Sequence, residues 1–266
     1  MLNIKKEAKK LLKDNWSKLI FMFLIVFCAY SIILIAQSLV SLLIGVNNYV
    51  NIFISIINFI LTILFVNPLI FGCYYFLYYT FNGATLPLSS IFYYFNSLDC
   101  YKKATKLSYL IALKTSISYF IFSLPNLFTS IFFKNNLFLV SISTALSLFG
   151  LVIMVINSLK LFAAPVLLVN DDSATPYEII HFSKEISFEN KSNIFKFVLS
   201  FIGWFYLSTF ILPLFFVFPY YLGCVVLKSK SLIEEYNKKI EDFNKDYYLK
   251  LLNNSNERHF YEKQEN

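Results

Sequence analysis

The stretch TPYEIIHFSKEISFENKSNIFKFVLSFIGWFYLSTFILPLFFVFPYYLGCVVLKSKSLIEEY, Thr175 to Tyr236, decides the fold. It begins with Thr175-Pro176-Tyr177-Glu178. Threonine at the N-cap, proline at the first helical position and glutamate three residues on make a capping box. Ile179, Phe182 and Ile186 then recur on one helical face. Beyond Lys196 the chain carries no charge until Lys228. A capped amphipathic helix thus leads into a long apolar run between two basic boundaries. That is the grammar of a membrane protein.

The whole chain repeats this grammar. It has 266 residues, 58% hydrophobic, 20% aromatic and only 15% charged. Soluble domains are about 45–50% apolar and about 25% charged, so lipid must solvate part of this surface. The formal charge is +7. The lysines cluster at the ends of apolar runs, which marks membrane orientation and excludes nucleic acid as the expected partner. Cys28, Cys73, Cys100 and Cys224 show no CxxC spacing and read as small hydrophobes.

Spans are expected at approximately 19–44, 52–79, 107–131, 142–168, 194–210 and 213–230. Residues 4–17 read as a surface helix with Ile4, Ala8, Leu11, Leu12 and Trp16 on one face and lysines on the other. The long basic run and the absence of a small-x-small site argue that this N-terminus is retained. GVNNYVN (45–51) and Lys134-Asn135-Asn136 are outer turns. Asn58 and Asn67 lie within span two and suit hydrogen bonds between helices. Pro87 opens a second surface helix carrying Ile91, Phe95 and Leu98, and Pro125 should kink span three. Residues 1–236 form the transmembrane domain and 231–266 a cytoplasmic helical tail, whose seam of Leu232, Tyr236, Ile240, Phe243 and Tyr247 packs on its own protein or the membrane surface.

Orientation follows from lysines. Lys5 to Lys18, Lys102 to Lys114, Lys184 to Lys196 and the tail from Lys228 all belong inside. The run 194–227 must then cross twice, and a break is expected near Thr209 to Pro213. About 34 residues at 1.5 Å each make two full crossings of a ~30 Å core tight. The fold class is therefore all-α: a polytopic bundle of about six transmembrane helices with amphipathic surface helices between pairs. The expected location is the plasma membrane, with both termini cytoplasmic.

Short internal matches suggest a repeated unit of one surface helix and two spans. Pro68-x-x-x-Gly72-Cys73 parallels Pro219-x-x-x-Gly223-Cys224, and Asp14-Asn15-Trp16-Ser17 parallels Glu189-Asn190-Lys191-Ser192.

Lys160 to Asp172, the 176–192 helix, then Leu199 with Ser200, Phe201, Ile202, Gly203 and Trp204, and finally Pro219 and Tyr220, resemble the bacterial integral membrane family called domain of unknown function 975. The resemblance covers roughly 160–236. The turn Asn170-Asp171-Asp172 lacks that family's usual proline, and Ser208 to Pro213 replaces its glycine-rich turn. The resemblance implies a membrane fold and location and no chemistry.

No phosphate loop, HExxH, HxxxH or GxSxG is present. No catalytic, cofactor-binding or metal-binding residue is assigned. Gly203 with Trp204 reads as a close helix contact beside an interfacial anchor. Lys160, inside the apolar run 137–169, is the one intramembrane residue that invites a function; the other reading is a snorkelling side chain. The expected function is a non-enzymatic envelope scaffold, regulator or sensor; the alternative is a small transporter or lipid-handling permease. Expected partners are the lipid bilayer and a second membrane protein or a second copy of the chain.

Overall fold

Pro87, Pro165, Pro176 and Pro213 each stand at the start of a helical segment, whereas Pro125 and Pro219 lie inside helices. A computed structural model describes residues 2–45, 48–133 and 136–262, with the backbone alone at 2, 14, 44, 48, 49, 51, 130, 131, 211, 212 and 244–262. The described residues contain helices and no strand. They are α1 (Leu2–Leu12), α2 (Trp16–Ile44), α3 (Asn48–Leu61), α4 (Asn67–Phe81), a 3₁₀ segment (Leu88–Phe95), α5 (Leu98–Phe132), α6 (Leu137–Lys160), α7 (Ala164–Asn170), α8 (Pro176–Leu199), α9 (Ile202–Leu207) and α10 (Ile211–Glu262). Val46, Asn47, Lys134 and Asn135 of the expected outer turns lie outside the described residues, as does the side chain of Tyr247.

Among the described residues, five helical stretches are long and apolar enough to cross a membrane: Trp16–Leu43, Ile52–Phe81, Leu98–Thr129, Leu137–Asn170 and Pro213–Phe243. The chain is an all-helical membrane protein. The fifth differs from the others: 61% of its most apolar window is buried inside the protein, against 17–28% for the rest. It is the core helix of the bundle.

The expected crossing at 194–210 is not one continuous helix. Its residues are shared between the end of α8, a turn at Ser200-Phe201, and the six-residue α9. Six residues span only about 9 Å. The chain then turns at Ser208 to Phe210 and starts α10 at Ile211, with Pro213 in its first turn. The expected break is present, but the arm before it is short. Phe205 packs edge-on against Tyr221 at 5.1 Å, so α9 folds back along α10. The α10 rings meet α2 at Phe23 and Phe27 and no further out among the described residues. Beyond Phe27, α2 exposes Ile32, Ile35, Leu39, Leu42 and Leu43.

The second span contains a π-helical turn, Thr62–Val66. Pro68 has no N–H for the Leu64 carbonyl, and the Tyr101 hydroxyl donates to that carbonyl at 3.1 Å instead. Asn58 donates to Gln37 at 2.8 Å and Asn67 to Ser108 at 2.5 Å, the interhelical bonds expected of them. α5 continues through Pro125. The helix expected to begin at Pro87 is instead the 3₁₀ segment, broken at Asn96 before Ser97 caps α5. The Ser97 hydroxyl competes for the chain by accepting from Cys100 N at 3.2 Å.

The two Pro-x-x-x-Gly-Cys matches share a structural purpose. A Cβ on Gly72 would sit 1.7 Å from the Ile91 carbonyl oxygen, so only glycine lets the 3₁₀ segment lie on α4. A Cβ on Gly223 would meet the Leu12 side chain at 3.2 Å, where α1 lies on α10. Ala8 and Leu12 are thus buried against protein, where the sequence suggested lipid. The unit of surface helix and two spans does not recur whole, because the third has a single candidate span and the six-residue α9; what recurs, in cyclic order, is the packing of each leading segment on the preceding unit. α4, α7 and α10 pack on one another at the centre. The 3₁₀ segment packs on α4, α8 on α7, and α1 on α10.

Candidate functional site

Lys160 ends α6, because Pro165 starts α7 and Leu161 to Ala163 form the turn between them. A helix C-terminus carries partial negative charge and favours an ammonium group. Lys160 Nζ donates to Asn157 Oδ1 at 2.8 Å, and Asn157 Nδ2 donates to Ser118 Oγ on α5 at 2.9 Å. Ser183 Oγ on α8 donates to the Lys160 carbonyl at 3.3 Å. One residue therefore joins α5, α6 and α8.

A cleft of about 430 Å³ opens between these three helices. Lys114, Lys160, Lys184 and Lys191 line it, with Asn157 and an apolar wall that includes Ile117 and Phe188. On α8, Lys184, Phe188 and Lys191 follow four- and three-residue steps and so share one face. The acids of α8 face elsewhere. Glu185 accepts from the Tyr236 hydroxyl at 2.7 Å and lies 3.5 Å from His181, and Glu189 pairs with Lys239 at 2.6 Å. No carboxylate lines the cleft among the described residues. Burial, then the neighbouring charges of Lys114 and Lys160, hold the Lys184 pKa below the usual lysine range. Lys191 Nζ sits 4.1 Å above the Phe188 ring.

The sequence singled out Lys160 alone. Lys114, Lys184 and Lys191 were read only as orientation signals, because their convergence depends on how α8 packs across α5 and α6. The signal available was the spacing of Lys184, Phe188 and Lys191 on the capped helix. That cap forms as read: Thr175 Oγ1 accepts from Glu178 N at 3.4 Å, and Glu178 Oε2 accepts from Thr175 N at 2.7 Å.

A second cavity, of about 390 Å³, lies between α4, α5 and α7 and is lined by Asn67, Tyr74, Ser108, Thr115 and Ser158. Its hydroxyls are largely occupied: Thr115 donates to Ile111 O at 2.8 Å and Ser158 to Met154 O at 2.9 Å. Leu161 borders both cavities.

The family-like residues gather at another place. Phe201 is fully buried against Phe197, Tyr220 and Tyr221. Lys5 Nζ lies 4.2 Å above the Phe201 ring and donates to the Ser200 carbonyl at 3.0 Å. The Tyr220 hydroxyl returns a bond to Lys5 O at 3.3 Å, and Trp204 packs on Tyr220 at 6.0 Å. This is a latch between α1 and the α9–α10 hairpin. Gly203 is no close contact, since a Cβ there would meet nothing within 4 Å, and Ile202 is exposed. Pro219 lies inside α10.

No protein-family model, curated protein or solved structure matches the chain.

Proposed function

We propose that the protein is a non-enzymatic scaffold, regulator or sensor of the bacterial plasma membrane, with both termini cytoplasmic, and that it is a divergent relative of domain of unknown function 975. The observation that carries the orientation is a single network. Lys5 bonds Ser200 O, Lys18 bonds Leu86 O at 3.4 Å, Lys103 bonds the Asp171 and Asp172 carbonyls at 3.0 and 2.9 Å, and Lys230 bonds Asn82 at 2.5 Å. Every segment that the lysine bias assigns to the inside is therefore fastened to another such segment. In this reading α9 and the start of α10 form a re-entrant hairpin, which keeps the tail on the side of α1.

A scaffold suits a chain whose most buried apolar helix, α10, is largely covered by its own neighbours. A transporter or lipid-handling permease is the second reading, favoured by the two cavities on either side of Leu161.

Single-cysteine labelling in intact cells, on a cysteine-free background, tests the orientation. Cysteine at Leu137, which is exposed at the start of α6, should react with a membrane-impermeant reagent. Cysteine at Ser17 or Ser231 should react only after permeabilisation. Labelling of Ser231 without Ser17 overturns the re-entrant hairpin. Proteoliposomes separate the functions: the scaffold reading expects no lipid transfer between leaflets above protein-free vesicles, and transfer would replace it with the permease.

A further inference from the structure

We infer that the cleft between α5, α6 and α8 is a binding site for a phosphate-bearing anion, and that its geometry fits the headgroup of an anionic phospholipid. This rests on the membrane reading above.

Ligand sites commonly measure about 300–1,000 Å³, and the cleft, at about 430 Å³, falls within that range. Its four lysines come from three helices, so the charge is concentrated by tertiary packing. Each lysine offers three donors and no acceptor. With the α8 carboxylates committed to Tyr236 and Lys239, the lysines lack a counter-charge within the cleft. Lys160 is held in place beforehand by Asn157, which Ser118 holds in turn. Ordering a lysine in advance lowers the entropy lost on binding.

The surroundings favour a lipid over a free phosphate. Ile117 lines the cleft and is exposed, and Phe120, Ile121 and Leu124 extend that exposed surface along α5. A headgroup on the lysines would leave its acyl chains along this apolar track. Basic pockets between membrane helices near the cytoplasmic surface recognise anionic headgroups by this division of labour.

The test uses the full chain in nanodiscs of phosphatidylcholine, with or without phosphatidylglycerol, followed by thermal unfolding. Phosphatidylglycerol should raise the midpoint. The double variant Lys160→Gln/Lys184→Gln should lose most of that rise, whereas Lys160→Arg/Lys184→Arg should keep it. Lys6→Gln/Lys10→Gln removes the same charge from the exposed face of α1 and should also keep it. Lys191→Gln gives a second, milder reading if the double variant does not fold. In a separate arm, inorganic phosphate is added to phosphatidylcholine discs. An equal rise there, lost in the same variants, keeps the anion site and assigns it to a soluble phosphate. A rise that survives the cleft variants, or that falls equally in the α1 control, overturns the site. The labelling pattern at Leu137 and Ser231 is independent of these midpoints, so failure of the site and failure of the orientation are told apart.

Discussion

Gly72→Ala places a methyl group where the Ile91 carbonyl oxygen now lies. The built Cβ is 1.7 Å from that oxygen, 2.7 Å from the carbonyl carbon and 3.1 Å from Ile91 Cα. All three are backbone atoms, so no rotamer change relieves the overlap. The 3₁₀ segment must lift from α4. Ile91 and Tyr94 are buried there, and Tyr75 stacks on Tyr93 at 4.0 Å with 11° between planes. Exposing an isoleucine costs about 1.5–3 kcal/mol, and losing an aromatic pair about 0.5–1.5 kcal/mol. Alanine recovers up to about 1 kcal/mol as the better helix former. The net expectation is a loss of about 1–4 kcal/mol, read by reversible unfolding in mixed micelles, with faster amide exchange confined to 88–95. Ile91→Ala should not rescue it, because the clash is with backbone. Gly203→Ala, with open space around its Cβ, should be neutral or slightly stabilising. Equal stability of Gly72→Ala and the parent, with unchanged exchange in 88–95, would refute the close approach.

Thr175→Ala should cost the α8 start about 0.5–2 kcal/mol, seen as faster exchange at residues 177–180. Tyr101→Phe should leave the Leu64 carbonyl without its donor and destabilise by about 1–3 kcal/mol, measured by the same unfolding assay. The turn before α8 should loosen in acid. Bonds from Ser173 hold the Asp171 carboxyl below its ordinary 3.8, and bonds from Thr175 hold Glu178 below its ordinary 4.5. A depressed folded pKa stabilises above the unfolded value and is lost as pH falls through the folded one. Exchange at 173–179 should therefore rise only as pH drops below these carboxylate values, and a rise already at neutral pH would contradict the assignment.

Local rules were legible wherever one segment carries its own signal. The capping box at Thr175 and Glu178 is written in four residues, and the structure makes both of its bonds. The interhelical asparagines were legible because a buried amide in a span needs a partner. The break before Pro213 was legible from charge bias, but its depth was not. A mainly apolar stretch such as 194–227 reads alike whether lipid or protein covers it, and here α1, α2, α4 and α9 cover α10. Likewise the apolar face of α1 predicted burial without naming the cover. The lysine cleft was the least legible, since its four members are separated by up to 77 positions in the chain (Lys114 to Lys191) and meet only through packing.

The cyclic order of the three units gives each junction its own chemistry. Between the first and second units, Ile91 closes on Gly72 and Asn67 bonds Ser108. Between the third and first, Lys5 and Tyr220 form the latch, with Ala8 and Leu12 buried beside Gly223. An isolated helix as short as α1 is marginal in water, so it gains its stability from α10 and cannot complete these contacts before α10 is in place. Between the second and third units, Ser183 bonds the Lys160 carbonyl and the four lysines face one another. That junction gathers four lysines in one cleft, whereas at the other two Lys5, Lys18 and Lys230 each meet a neutral acceptor beside apolar packing. An anion bound there would remove the repulsion and draw α8 onto α5 and α6, so occupancy of the cleft would be felt along α8 as far as the tail that Glu185 and Glu189 hold.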